Sequence, residues 1–289
     1  MSSRKGLLFV FIAAVLFSIG GLCVKVIPWN AMAINSFRNI ISVVLLLIFA
    51  KVTGQKFKFT SGVLVGAVCM CGVTTLYAMA NKLTTAANTI LLQFTAPVFV
   101  ILAMWLVFHE RPKRLDVITC IAVFGGVACF FLDSLGSGSL LGDALALLSG
   151  VAYAGVFMMN KFPGGDPLSA VILGHAMGAV IGFPWLVRET AFTGTALAAA
   201  VVLGVFQLGV AYMFFTTGIR TAPPVSACLV AGIEPILNPV LVAVVLGEMI
   251  SPLSLVGGAI VFVSIMVYNV LSSRQEKQEV RNRKEETGR

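Results

Sequence analysis

The chain has 289 residues, of which 58% are hydrophobic and only 11% charged, with a formal net charge of +8. A soluble globular chain is nearer a quarter charged, and a disordered one combines high charge with low hydrophobicity, so both classes are excluded. The cations lie in short clusters at the ends of apolar runs rather than on one polar face, which argues against a nucleic-acid partner and leaves an integral membrane protein.

A spanning helix needs about 20 mostly apolar residues. Ten such runs follow one another, at approximately 6–27, 31–50, 61–80, 84–108, 115–132, 140–160, 168–187, 195–217, 223–247 and 253–271. The expected fold class is therefore an all-α integral membrane protein with ten transmembrane helices. The first run follows Arg4 and Lys5 and is too long for a signal peptide, so it reads as a retained span. The polar stretch 272–289 closes the chain as a solvated, flexible tail. The six cysteines, at 23, 69, 71, 120, 129 and 228, all fall inside apolar runs and read as small buried residues, with no disulfide framework and no metal site.

Ten spans place both termini on one side. Sixteen of the Lys and Arg residues fall on that side; Lys25, Arg38, Lys82 and Arg188 fall in the other half. The positive-inside rule then makes the N- and C-termini cytoplasmic, in the plasma membrane. Trp29, Trp105 and Trp185 lie near the expected interfaces, where amphipathic rings prefer to sit.

Several polar side chains interrupt the apolar runs. An ionisable group at the bilayer centre is costly and so marks a functional candidate. In the second span Asn35, Arg38, Asn39 and Ser42 share one helix face. Arg38 lies roughly 10 Å inside the far end, placed either to snorkel or to line a vestibule and bind a carboxylate. The fourth span carries Asn88, Gln93 and Thr95 ahead of Pro97. In the seventh, His175 sits among Gly174, Gly178 and Gly182, a smooth surface suited to packing within the chain or to a homodimer. Gln207 and Tyr212 are polar in the eighth span, and Tyr77 and Tyr153 offer further hydroxyls.

The ninth span holds the clearest candidate, Glu234, followed by Pro235, Asn238 and Pro239. A carboxyl screened from water holds its proton more readily, as a proton carrier must. The three prolines Pro97, Pro235 and Pro239 free backbone carbonyls, which inside a membrane must be buried or face a wet cavity. Glu110 and Glu248 end the fourth and ninth spans as gates or caps.

The chain also repeats itself. A shift of 138 lays Leu91 on Leu229, Pro97 on Pro235, Val107 on Val245 and Glu110 on Glu248; a shift of 136 lays Gly6 on Gly142 and Lys25 on Lys161. Two units follow, 1–136 and 137–271, with five spans in each. Five is odd, so the second unit enters from the opposite side. Inverted repeats are a transporter architecture with the substrate near the midplane. Glu234 falls on Ala96 and so breaks the symmetry.

The same residues carry a family resemblance. Ser36-Phe37-Arg38, Thr84-Thr85-Ala86, Ala96-Pro97, Phe108-His109-Glu110-Arg111 and Leu246-Gly247-Glu248 together resemble the EamA-type members of the drug/metabolite transporter superfamily. The first copy has His109 where the family usually has Gly. The resemblance implies a ten-helix carrier of small metabolites, often an exporter, working by alternating access.

The resulting expectation is a secondary active transporter of small organic metabolites such as amino acids, exporting them with proton coupling through Glu234. Substrate-binding or coupling residues are Glu234, Asn238, Asn88, Thr95, Arg38, Gln93, Tyr212 and His175. The expected partners are a small-molecule substrate, protons and membrane lipids, with no cofactor. A lipid-handling or regulatory membrane protein is the alternative. An enzyme is not expected: His109-Glu110 lacks the second His of a zinc hydrolase, and no serine has a partnered base. A channel would show charge rings or filter loops.

Overall fold

The structure is a computed structural model describing residues 3–109, 114–137, 139–247 and 251–287. All regular elements among these residues are helical. In chain order they are α1 (Ser3–Phe17), α2 (Gly20–Val26), α3 (Ala31–Val52), α4 (Ser61–Leu83), α5 (Ala86–Gln93), α6 (Ala96–Leu106), α7 (Arg114–Ser137) and α8 (Leu140–Phe157). Then follow α9 (Pro167–Leu186), α10 (Gly194–Val202), a π-helical stretch (Leu203–Val210), α11 (Ala211–Ile219), α12 (Pro224–Val230), a 3-10 turn (Ala231–Ile233), α13 (Glu234–Leu246) and α14 (Pro252–Thr287).

Eight helical stretches among the described residues are long and apolar enough to cross a membrane by length and composition. Two further apolar helical stretches, Val117–Cys129 and Pro252–Tyr268, are shorter. The outer surface is apolar: Val180, Ile121 and Val244 are 73%, 68% and 79% exposed. Such a surface is a liability in water and the normal state in lipid. The chain is a multi-pass membrane protein.

The backbone differs from a plain set of continuous spans. The first splits at Ser18–Ile19, the fourth at Phe94–Thr95 and the ninth at the 3-10 turn. Pro97 and Pro235 stand in the first turns of α6 and α13, where a missing N–H costs least. They end the preceding helix rather than merely bending it. The segment after Leu271 is helical to Thr287, not irregular; its Glu, Gln, Lys and Arg are good helix formers.

Short connections alternate the helix directions and define two ends, a near end that carries the N-terminus and a far end. Far-end loops meet each other: Trp29 Nε1 donates to Ala191 O at 2.7 Å and Lys82 Nζ donates to Ile27 O. Near-end loops meet likewise: Arg220 pairs with Asp166 at 3.2 Å and donates to Gln55 Oε1 at 2.6 Å.

Packing sorts the helices into groups. α4 and the broken α5–α6 pack on α8, and α1–α2 pack on α11, α12 and α13. α3 and α9 lie against each other and touch both groups, and α7 pairs with α14. Close approach of α9 needs its glycines. A Cβ at Gly174 would stand 2.5 Å from Met70 Cβ, and one at Gly182 would stand 2.3 Å from Met32 O. The glycine face of the seventh span is thus filled by α3 and α4 of the same chain, and a homodimer cannot use it.

Candidate functional site

The helix breaks converge on a buried central cavity. Arg38, Tyr77, Tyr153, Gln207, Tyr212 and Glu234 supply its polar wall, with Thr74 and Gln93, while Phe17, Val73 and Leu208 supply the apolar part. Its volume for a water-sized molecule is about 20 Å³, room for one or two waters and no more.

Arg38 is 1% exposed, which removes the snorkelling option. Its Nη2 donates to Thr74 O at 2.7 Å and to Asn35 Oδ1 at 3.2 Å, and Nη1 reaches Gln207 Oε1 at 3.5 Å. The guanidinium carbon lies 6.0 Å from the centre of the Tyr77 ring, within cation–π range. Its Nε has no hydrogen-bond partner. The π-helical stretch holds Gln207 between Gly204 and Gly209, whose missing side chains let it close on Ile41 and Leu45 of α3. Insertions of this kind often re-aim a side chain at a functional site.

Glu234 enters from the opposite wall, 5% exposed, at the start of α13. The Tyr153 hydroxyl faces its carboxyl, and Oε2 has no hydrogen-bond partner. No carboxylate lies within ion-pair distance of Arg38 among the described residues. A fixed cation and a carboxyl therefore line one cavity without neutralising each other.

The remaining candidates spread out from this centre. Gln93 lines the cavity and donates to Ser149 Oγ at 3.2 Å. Tyr212 lines it too and takes the edge of His175, with ring centres 4.9 Å apart. His175 is fully buried; its Nδ1 lies 2.9 Å from Ser42 Oγ and its Nε2 has no partner. Asn238 lies next to the cavity, donating to the Tyr77 hydroxyl at 3.3 Å.

Asn238 and His175 thus stand one layer behind the cavity wall, and Thr95 and Asn88 point elsewhere. Thr95 bonds back to Leu92 O at 2.7 Å and packs on Gly150, while Asn88 turns to the far end, with Nδ2 3.4 Å from Asp143 Oδ2. Pro239 lies within α13. The gate or cap residues Glu110 and Glu248 lie outside the described residues. At the equivalent helix ends His109 and Gly247 both adopt left-handed backbone, with φ of 58° and 67°.

Thr74 on the cavity wall was unmarked in the sequence, and so were two polar residues farther out, Asp143 and Asn81. Asp143 is fully buried in the first turn of α8 and accepts from Thr84 Oγ1 at 2.7 Å. It sits where the sixth apolar run begins and looks there like a loop residue. Asn81 fell in the expected connection after the third run, yet α4 continues to Leu83 and buries it completely. The signal for it was available: under the 138 shift Asn81 falls on Ile219, the same kind of asymmetry that marked Glu234.

The chain matches the profile of the "EamA-like transporter family" twice, over residues 4–132 and 140–270. It is 25% identical to "Uncharacterized transporter YwfM" of Bacillus subtilis (strain 168), over 94% of this chain and 96% of that protein. It is 24% identical to an "Uncharacterized transporter" of Clostridium kluyveri, over 96% of this chain and 98% of that one. A crystal structure with a TM-score of 0.68 and 17% identity covers 93% of this chain and 99% of the other, a likeness of fold.

Proposed function

The chain belongs to the EamA-like transporter family, and on that footing we propose that it exports small zwitterionic metabolites, amino acids or close relatives, in exchange for protons. It works as a secondary transporter in the plasma membrane, with its near end cytoplasmic, by alternating access.

One observation carries the substrate class. Arg38 and Glu234 face one cavity and are not paired with each other. A guanidinium binds a carboxylate in two parallel hydrogen bonds, and a carboxylate accepts from an ammonium group. A ligand carrying both charges satisfies both walls at once. Glu234 is also the group suited to exchange a proton for the ammonium, because one of its oxygens is left unpartnered in a buried site.

Ten spans in two inverted repeats give the cavity its access. The packing supports this: α4, α5–α6 and α8 are spans three, four and six, while α10–α11, α12–α13 and α1–α2 are spans eight, nine and one. The second group is the first advanced by five spans. Rocking one group against the other opens the cavity at one end while closing it at the other.

The test is uptake and release of labelled alanine in proteoliposomes under an imposed pH gradient. Wild type is expected to drive alanine with the gradient. Glu234→Gln is expected to exchange alanine without following the gradient, and Arg38→Gln to lose transport. Transport equal in all three proteins would overturn the reading.

A further inference from the structure

Beside the cavity, toward the far end, lies a second polar cluster contributed by α4 and α13. Tyr77 and Asn81 stand one turn apart on α4, and Asn238 reaches across from α13 to donate to the Tyr77 hydroxyl at 3.3 Å. Asn81 also faces that hydroxyl. α2 closes the third side with glycine. A Cβ at Gly21 would stand 2.3 Å from Asn238 Oδ1, and one at Gly20 would stand 3.3 Å from the Tyr77 hydroxyl. Only bare backbone lets the amide lie there.

Both amides are fully buried, yet neither Nδ2 nor Oδ1 of Asn81 has a hydrogen-bond partner, and Oδ1 of Asn238 has none. A buried, unsatisfied amide costs free energy in whatever state leaves it so. Leu or Ile in these places would pack at no such cost. The near-end positions that the repeat brings into register are of that kind: Phe215 matches Tyr77, Ile219 matches Asn81, Val100 matches Asn238 and Phe157 matches Gly21. All four are buried and apolar.

We propose that Tyr77, Asn81 and Asn238 form a second subsite on the far-end side of the cavity. It takes an uncharged hydrogen-bonding group of the substrate, a hydroxyl or carboxamide, as the far end opens. The inference rests on the zwitterion reading and extends it: the charges are held at Arg38 and Glu234, and the side chain is read by the two amides. A site built to hydrogen-bond a hydroxyl or amide discriminates strongly against the analogue that lacks it, because its own polar groups are then left unpaired. When a polar substrate leaves, the amides return to the unsatisfied arrangement, a cost that an apolar substrate never relieves and so never restores.

The experiment compares matched pairs, serine with alanine and asparagine with leucine, in proteoliposomes of wild type and Asn81→Leu. Thermal unfolding of both proteins is read alongside. Wild type is expected to favour the polar member of each pair by tenfold or more. Asn81→Leu is expected to lose that preference, keep alanine transport, and unfold several degrees higher, since it removes an unsatisfied amide. A merely structural Asn81 would lower the unfolding temperature when replaced, and that result overturns the subsite. So does an Asn81→Leu protein that keeps the wild-type preference, or a wild type that shows none. If neither serine nor alanine moves in wild type, the zwitterion reading itself fails and takes the subsite with it.

Discussion

The two sides of the central cavity differ in the side chains they carry. Toward the near end, Phe157 and Phe215 meet edge to face with ring centres 5.4 Å apart, and Asn160 Nδ2 donates to Ile219 O beyond them. Toward the far end, the matching helices carry Tyr77, Asn81 and Asn238, and then a rim where Lys25 Nζ donates to Thr84 O at 2.8 Å. Gly6 and Gly142, in register under the repeat, make the same close contact at the two ends: a Cβ on Gly6 would meet Thr221, and one on Gly142 would meet Thr84. Glycine spacing thus sets where the helices touch, while the side chains at the touching points decide what can pass between them. An apolar seal resists wetting, whereas a polar seam offers hydrogen bonds to whatever enters it.

The largest effect in this comparison is expected from removing the near-end seal. Phe215→Ala deletes a fully buried ring and is expected to cost about 3–5 kcal/mol, read as a lowered unfolding temperature in detergent. The protein that does fold should leak alanine without a gradient. At the far end, Asp143→Leu strips Thr84 and Asn88 of their acceptor. It is expected to cost about 2 kcal/mol and to leave the near-end contacts in place, which hydrogen exchange of the two rims distinguishes.

A smaller effect depends on pH. Glu189 ties the far-end loops, accepting from Asn30 N at 3.0 Å, Thr190 N at 3.1 Å and Ala191 N at 3.3 Å. Burial pushes its carboxyl up, but those three N–H groups and the Lys82 charge together outweigh burial and hold it below the usual carboxylate range. A depressed folded-state value means that Glu189 stabilises the rim above its unfolded value, about 4.3, and that this is lost as the pH falls through the folded value. The stability difference between wild type and Glu189→Gln is therefore expected at neutral pH and should vanish in acid; a difference that grows in acid would contradict the assignment. The smallest effect belongs to the helix ends. His109 holds the left-handed backbone that Gly247 holds in the second copy. Relief of that strain is partly offset by the greater freedom of glycine in the unfolded chain, so His109→Gly is expected to raise stability by about 0.5 kcal/mol.

Much of the architecture was legible because membrane burial writes it in composition. The apolar runs match the order of the helices and most of their ends to within a few residues; the last is the exception, α14 running on to Thr287. Glu234 and Arg38 stood out because charge is rare in a span, and the structure puts both on one cavity. The breaks were legible only in part. Pro97 and Pro235 announced two of them, but the break at Ser18–Ile19 has no proline, and the π-helical turn at Gln207 arises from packing against Ile41 and Leu45. Asn88 and Thr95 illustrate the limit. Their place in a kinked span suggested a ligand wall, whereas helix rotation turns Asn88 to Asp143 and Thr95 to Gly150. Asn81 illustrates the reverse, a residue hidden by a boundary drawn three residues short.

The most direct test of alternating access measures distances between spin labels across the two seams. One pair replaces Pro28 and Leu83 at the far end, and the other replaces Lys161 and Pro223 at the near end; all four sites are exposed. Adding serine under a pH gradient is expected to lengthen one pair while the other stays closed or shortens, and reversing the gradient to exchange them. Both pairs lengthening together, or neither responding to a substrate that the protein transports, would contradict the account.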